Sequence, residues 1–239
     1  MTQRESSEGW DHSPVAVRMI RKLRRDGVGA VASQLFDTGV DRGLKPFDRK
    51  WGTDTSTLVH AEELAAELGT TPDEAGAHYV PIVARALYKA LQQVAPNPEG
   101  TFVDIGAGSG RVIIAARDHG YRTVAGIEHS KVLCDWAIDN VRISGLDGID
   151  VVHGDATTWP LPTDTSLVFI YNTFNPAMWS AFLDGPILDM GRPMQVLTVN
   201  MPQSLVGTDK VSVRIERTMR IGGRDFHLLE VAAITARTP

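Results

Sequence analysis

The chain has 239 residues, 43% of them hydrophobic, and a formal net charge of -5. That length and apolar content bury one substantial core, enough for a single domain with an N-terminal addition. The acidic balance excludes a global pull toward nucleic acid or anionic lipid, the lone cysteine Cys134 excludes an intrachain disulfide, and no apolar run reaches the length of a membrane span. The opening MTQRESSEGWDHS is too polar for a signal peptide, so a soluble cytoplasmic protein is the expectation. Cys134 falls in an apolar pattern and reads as a small core residue.

In chain order, Ser13-Pro14 caps a first helix that carries Arg18, Arg21, Lys22, Arg24 and Arg25. A solvated face explains these charges more simply than a patch for nucleic acid, an acidic protein or lipid, and no interleaved aromatics support base stacking. Phe47 to Thr55 is rich in turn formers and reads as a loop over a bound ligand, with Asp54 and Thr55 either contacting that ligand or capping a helix that begins near Thr57. Pro72 to Val94 places Val80, Val83, Ala84, Leu87 and Leu91 at helical spacing, as a helix packed on a sheet would. Pro96-Asn97-Pro98-Glu99-Gly100 then stops the helical part of the chain.

Phe102 to Arg111 reads FVDIGAGSGR, a β-branched run ending in an acid, followed by glycines at alternate positions that open a helix. A strand turning sharply into a helix needs backbone angles closed to most side chains and room for a ligand, and Gly106, Gly108 and Gly110 supply both. The spacing is GxGxG, with Asp104 two residues before the first glycine. A pyrophosphate at that helix N-terminus would meet an unfavourable carboxylate. S-adenosylmethionine has no phosphate and carries an ammonium and a sulfonium, beside which a carboxylate is tolerable or useful.

The helix from Gly110 to His119 is closed by Gly120, and a second strand over Thr123 to Ile127 ends at Glu128, an acid able to accept from both ribose hydroxyls. A helix from Ser130 to Ser144 precedes a third strand at Val151-Val152-His153, which runs into the loop Gly154-Asp155-Ala156. Strands over Leu167 to Tyr171 and Gln195 to Asn200 flank a helix from Pro176 to Met190. Val211 to Met219 and Asp225 to Ala232, joined through Ile221-Gly222-Gly223-Arg224, read as an antiparallel hairpin.

These residues resemble motif I and the following motifs of the class I S-adenosylmethionine-dependent methyltransferases, a likeness covering Tyr79 to the C-terminus. It implies an α/β, Rossmann-like seven-stranded sheet, mostly parallel with the last strand antiparallel, and helices on both faces. It makes residues 72–239 the methyltransferase domain and residues 1–71 an N-terminal helical extension or lid. The resemblance implies an enzyme with S-adenosyl-L-methionine as cofactor, bound by Asp104, Gly106, Ala107, Gly108 and Gly110. Glu128 with His129 would serve the ribose, Asp155 the adenine amino group and the Ala156 N–H the ring. Tyr79-Val80-Pro81 is similar to Tyr-x-Pro elements of small methyltransferases, including those that modify lysines of an ATP synthase subunit, so Tyr79 would cover the cofactor; a helix-initiating turn is its other reading.

Tyr171-Asn172-Thr173-Phe174-Asn175-Pro176 ends the fourth strand, at the sheet edge where ligands bind. It lacks the double proline of nucleic-acid amino-methyltransferases and is similar to the Asn-rich, Phe-containing motif of Dot1-type histone lysine methyltransferases and small bacterial relatives, from which Thr173 and Asn175 depart. Tyr171, Asn172, Phe174 and Asn175 are therefore the candidate catalytic residues, with Asn172 also touching the cofactor. Aromatic faces would steady a cationic methyl donor, and amide oxygens would orient a neutral amine. His78 and His153 are the nearest bases, neither compelling, which favours N- over O-methylation. Arg111 opposes the dipole of its own helix and needs an anionic partner, structural in preference to a substrate group. The expected reaction is N-methylation of a protein amino group, lysine-type. A small-molecule methyl acceptor and a non-catalytic cofactor-binding regulator are the alternatives, nucleic acid is disfavoured, and no metal-ligand spacing is visible.

Overall fold

The computed structural model describes residues 43–57, 59, 66, 69, 79–94, 97–199 and 207–234. Leu44–Pro239 forms one compact unit. The basic helix expected after Ser13-Pro14, His78, and most of the helix expected after Thr57 lie outside the described residues.

A helix over residues 43–51 (α1) comes first. It is followed by α2 (Ala84–Leu91), β1 (Thr101–Ile105), α3 (Arg111–His119), β2 (Val124–Glu128), α4 (Lys131–Ser144), β3 (Ile149–His153), β4 (Thr165–Tyr171), α5 (Pro176–Phe182), β5 (Met194–Val199), β6 (Val211–Ile221) and β7 (Arg224–Ala233). The described strands form one seven-stranded sheet in the order β3-β2-β1-β4-β5-β7-β6. β1 to β5 pair in parallel, while β7 runs antiparallel to both β5 and β6. The expected sheet with its antiparallel last strand is thus present.

β1 and β2 are buried along their whole length, as central parallel strands covered on both faces must be. On one face Leu87 of α2 and Ile113 of α3 pack with Phe102, Phe169 and Leu197; on the other Trp179 and Phe182 of α5 pack with Val103, Ile105 and Val168. Ser130 caps α4 by accepting from the Leu133 N–H at 3.2 Å, and Gly145, with φ 68, ends it. The β6–β7 turn uses Gly222 and Gly223 with φ 60 and 80, the left-handed pair that a two-residue hairpin requires.

Four expected elements differ. Residues 47–51, read as loop, are helical, because Leu44 and Phe47 bury against the domain and supply the apolar contacts that the polar sequence obscured. Of the helix expected from Pro72 to Val94, residues 72–78 lie outside the described residues, residues 79–83 are not helical, and α2 starts at Ala84: Tyr79 pairs as an antiparallel bridge with Val59, and Pro81 holds its neighbours extended. The Val59 pairing also removes that residue from the helix expected near Thr57. The helix expected from Pro176 to Met190 is α-helical to Phe182 and then loosens into a wide turn, Leu183–Ile187, and a short 3-10 turn, because Pro186 lacks the N–H that would continue it.

Candidate active site

The strand order reverses between β1 and β4, which are parallel neighbours with Ile105 opposite Ile170. Ligands of open α/β sheets bind outside the carboxyl ends of strands at such a switch point. Gly106 and Asn172, which follow these strands, are therefore brought side by side, with Glu128 ending the next strand over, opposite His153.

A cavity of about 270 Å3 opens there. From β1 and its loop it takes Asp104, Gly106 and Ala107; from β2, Glu128 and His129; after β3, Asp155 and Ala156; after β4, Tyr171, Asn172 and Phe174; and Tyr79 closes it from outside the sheet. Gly108, Gly110 and Asn175 do not line it, and neither do Asp54 or Thr55, which hydrogen-bond to Asn140 and Asp48 instead.

The glycine loop is bound to its own scaffold. The Gly106 and Ala107 N–H groups donate to the Ile127 carbonyl at 2.9 and 3.0 Å, Gly110 N–H to Ala107 at 2.9 Å, and Gly108 N–H to Glu128 Oε2 at 2.8 Å. A phosphate-binding loop leaves such amides aimed at the ligand, so this one offers close backbone approach rather than donors. Gly108, at φ 54, is required twice over: a Cβ there would stand 2.0 Å from the Tyr79 ring. The Tyr79 hydroxyl shares a 2.8 Å hydrogen bond with Ser109 Oγ, and burial pushes its pKa up to about 12.

Glu128 is buried, and each carboxylate oxygen accepts one backbone N–H, Oε1 from Ser130 at 2.9 Å and Oε2 from Gly108. Burial raises its pKa, and those backbone donors pull it back. A carboxylate accepts about four hydrogen bonds, so Glu128 keeps acceptor capacity beyond its backbone donors. Asp104 is buried with Oδ2 lacking a hydrogen-bond partner, and burial, then the nearby Glu128 charge, raises its pKa well above the usual range. A buried carboxylate oxygen with no donor, in the wall of a cavity, is an acceptor for a cationic group such as an ammonium. Asp155 Oδ1 closes a turn on Thr157 N and Oγ1 at 2.8 and 2.7 Å, a turn in which Oδ2 takes no part.

At the β4 end, Asn172 has φ 58 and is the one non-glycine residue with positive φ among the described residues. Asparagine tolerates that region better than most non-glycine residues. Thr173 clamps the corner, its hydroxyl bridging the Ile105 and Tyr171 carbonyls at 2.9 and 3.1 Å. The Phe174 ring is fixed edge-on against Trp179 at 5.6 Å and tilted on Phe182 at 5.3 Å. Asn175 caps α5 by accepting from Met178 N–H at 2.9 Å. The Tyr171 ring lies 5.4 Å under the Arg224 guanidinium, and burial raises its hydroxyl pKa. His153 is turned to the His129 carbonyl at 3.0 Å.

Sequence reasoning missed Thr173 as the clamp, and it missed Asn140, whose amide joins the Asp54 backbone to the Ser109 carbonyl. Asn140 had a readable signal: it continues the buried stripe of Leu133 and Ala137 as a lone polar residue. Arg111 finds its anion in Asp48 at 3.0 Å, a structural partner. Among the described residues no group of three or more His, Cys, Asp or Glu is placed to hold a metal ion, and no helix is long and apolar enough to cross a membrane.

Residues 102–185 match the model of a methyltransferase domain. The fold is similar to an RNA methyltransferase from Salinibacter ruber in complex with S-adenosyl-L-homocysteine, with TM-score 0.51 and 22% identity over 67% of this chain and 97% of that one. It is also similar to TrmN from Thermus thermophilus, with TM-score 0.50 and 16% identity over 65% of this chain and 49% of that one. The matched domain and the sheet order together give this chain a seven-stranded, Rossmann-like methyltransferase fold.

Proposed function

We propose that the enzyme N-methylates a protein amino group of the lysine type, and that the acceptor enters at the β4 corner beside Asn172. The observation that carries this reading is the corner itself. Asn172 is exposed on the cavity wall with φ 58, and Tyr171 to Pro176 contains no carboxylate or imidazole. An amine gives up its proton to solvent before it attacks, whereas a hydroxyl needs a base within reach. The amide oxygen of Asn172 orients the amine by accepting one of its N–H groups.

In the same reading Asp104 accepts from the cofactor ammonium, Glu128 from the ribose hydroxyls with His129 beside it, and Asp155 from the adenine amino group through its second oxygen, with Ala156 against the ring. Gly106 and Ala107 give the cofactor close approach; Gly108 and Gly110 set the loop from behind the cavity wall. Bound there, S-adenosylmethionine supplies an electrophilic methyl on a sulfonium. Tyr79, Tyr171 and Phe174 flank it with aromatic faces that favour positive charge and exclude water. Asn175 acts by capping α5, which holds the corner open.

Transfer of labelled methyl into a lysate of the source cells, fractionated into protein, nucleic acid and small molecules, tests the reading. Label is expected in protein and, after hydrolysis, in methylated lysine, and is expected to enter roughly 10- to 100-fold more slowly with Asn172→Ala. The Salinibacter ruber neighbour is an RNA methyltransferase, so the nucleic-acid fraction is a real competitor; label there or in small molecules replaces the protein acceptor.

A further inference from the structure

We propose that Asp48 is a positioning residue of the cofactor site: with Arg111 and Thr55 it holds residues 44–57 as a strap that sets the Gly106–Gly110 loop and the start of α3. The assignment rests on the cavity being the cofactor site.

Arg111 sits at the first position of α3, where the helix dipole opposes a cation, and yet its side chain is 1% exposed. Only a dense set of acceptors makes that placement tolerable. The strap supplies three acceptors: Nε donates to the Thr55 carbonyl at 3.2 Å, Nη1 to the Leu44 carbonyl at 3.1 Å, and Nη2 to Asp48 Oδ2 at 3.0 Å. The guanidinium also lies 4.9 Å over the Phe47 ring. Asp48 closes the ring from its other oxygen. Oδ1 accepts from Thr53 Oγ1 at 3.0 Å, Thr55 N–H at 3.0 Å and Thr55 Oγ1 at 2.6 Å. One carboxylate therefore joins the end of α1, the extended residues after it and the first residue of α3.

A second tie sits on the other side of Gly110. The Asn140 side chain accepts from Asp54 N–H at 2.9 Å and donates to the Asp54 and Ser109 carbonyls at 2.9 and 3.0 Å. Ser109 and Arg111 are thus both held from the strap, and the glycine between them has φ 94. Ser109 in turn holds the Tyr79 hydroxyl, whose ring rests on Gly108. The inner side of the loop is bound to β2 and Glu128; its outer side is bound to the strap. A loop held on one side only would hold Gly108 N–H, and through it the Glu128 carboxylate, in a range of positions, which is where affinity for a preorganised ligand is lost.

The test is calorimetry with S-adenosyl-L-homocysteine on folded protein, together with hydrogen exchange of the loop amides. Asp48→Asn is expected to raise Kd by about tenfold and to speed exchange across Gly106–Arg111. Thr55→Val, which removes one hydroxyl bond and leaves the ion pair, is expected to raise Kd about threefold and decides the matter if Asp48→Asn does not fold. Lys50→Ala cuts the exposed Lys50–Asp118 pair in the same segment and leaves Kd unchanged. Wild-type Kd in Asp48→Asn, or in Thr55→Val where that variant decides, overturns the strap, since a merely structural role lowers the melting temperature without moving Kd. Failure of the wild-type protein to bind would overturn the cofactor site itself.

Discussion

The two corners that meet at the switch point are built differently. At the β1–α3 corner Asp104, Ser109 and Arg111 are each 1% exposed, and the loop amides are satisfied within the protein. At the β4–α5 corner Asn172 and Asn175 are exposed, and the turn is held by the two bonds of the Thr173 hydroxyl and by one cap. A preformed corner tied to distant segments suits a ligand that never changes. The second corner presents more of its side chains to solvent, so it can be altered with less disturbance of the core.

Substitutions at the first corner should therefore damage stability and cofactor binding, and those at the second should damage transfer alone. Arg111→Ala is expected to destabilise the fold by about 3–5 kcal/mol, because Asp48 and two carbonyls lose their donor inside the protein; an unchanged thermal melt would show that the corner does not depend on this pair. Glu128→Ala removes the carboxylate that accepts from the Gly108 and Ser130 N–H groups and that is proposed to accept from the ribose, and S-adenosylhomocysteine affinity should fall roughly 100-fold by calorimetry. Equal affinity would contradict the assignment of Glu128. Asn172→Ala should slow transfer roughly 10- to 100-fold while leaving cofactor affinity alone, and normal turnover would remove Asn172 from the active site.

The electrostatics sharpen the contrast. Burial, and then the Glu128 charge, raise the Asp104 pKa, so the folded protein keeps a proton that the unfolded chain has released above about pH 4. Stability of the ligand-free protein should accordingly fall as pH rises from there through the folded value, and Asp104→Asn should lack that component. Thermal melts across a pH series check this; parallel curves for the two proteins would mean that Asp104 is ionised in the folded state. The smallest effect belongs to Asn175→Ala, which should cost about 1 kcal/mol through the lost cap and leave S-adenosylhomocysteine binding intact.

Local chemistry made much of this readable in advance. α3 starts one residue after Gly110 and stops at Gly120, and Ser130 and Gly145 bound α4, because caps act between residues a few positions apart. Glu128 could be placed at the tip of β2 for the same reason. The reading failed where packing or one missing donor overrode periodicity. α1 is polar in sequence yet helical because Leu44 and Phe47 are buried, Pro81 holds an apolar stretch extended, and Pro186 ends an α-helix that the apolar pattern would have continued.

The amino-acid order alone determined the alternation of strands and helices, the glycine loop with Asp104 before it, and the acid at the end of β2, all of which follow from constraints between near neighbours. Tertiary structure decided that Arg111 meets Asp48 across 63 positions, that Asn140 reaches Asp54 across 86, and that Tyr79 lies on Gly108. The entropy of closing a loop grows only slowly with its length, so a partner 60 residues away costs little more than one 30 residues away, about 0.6 kcal/mol for each doubling. Spacing therefore carries almost no signal for such contacts, and they become visible only when the chain has folded.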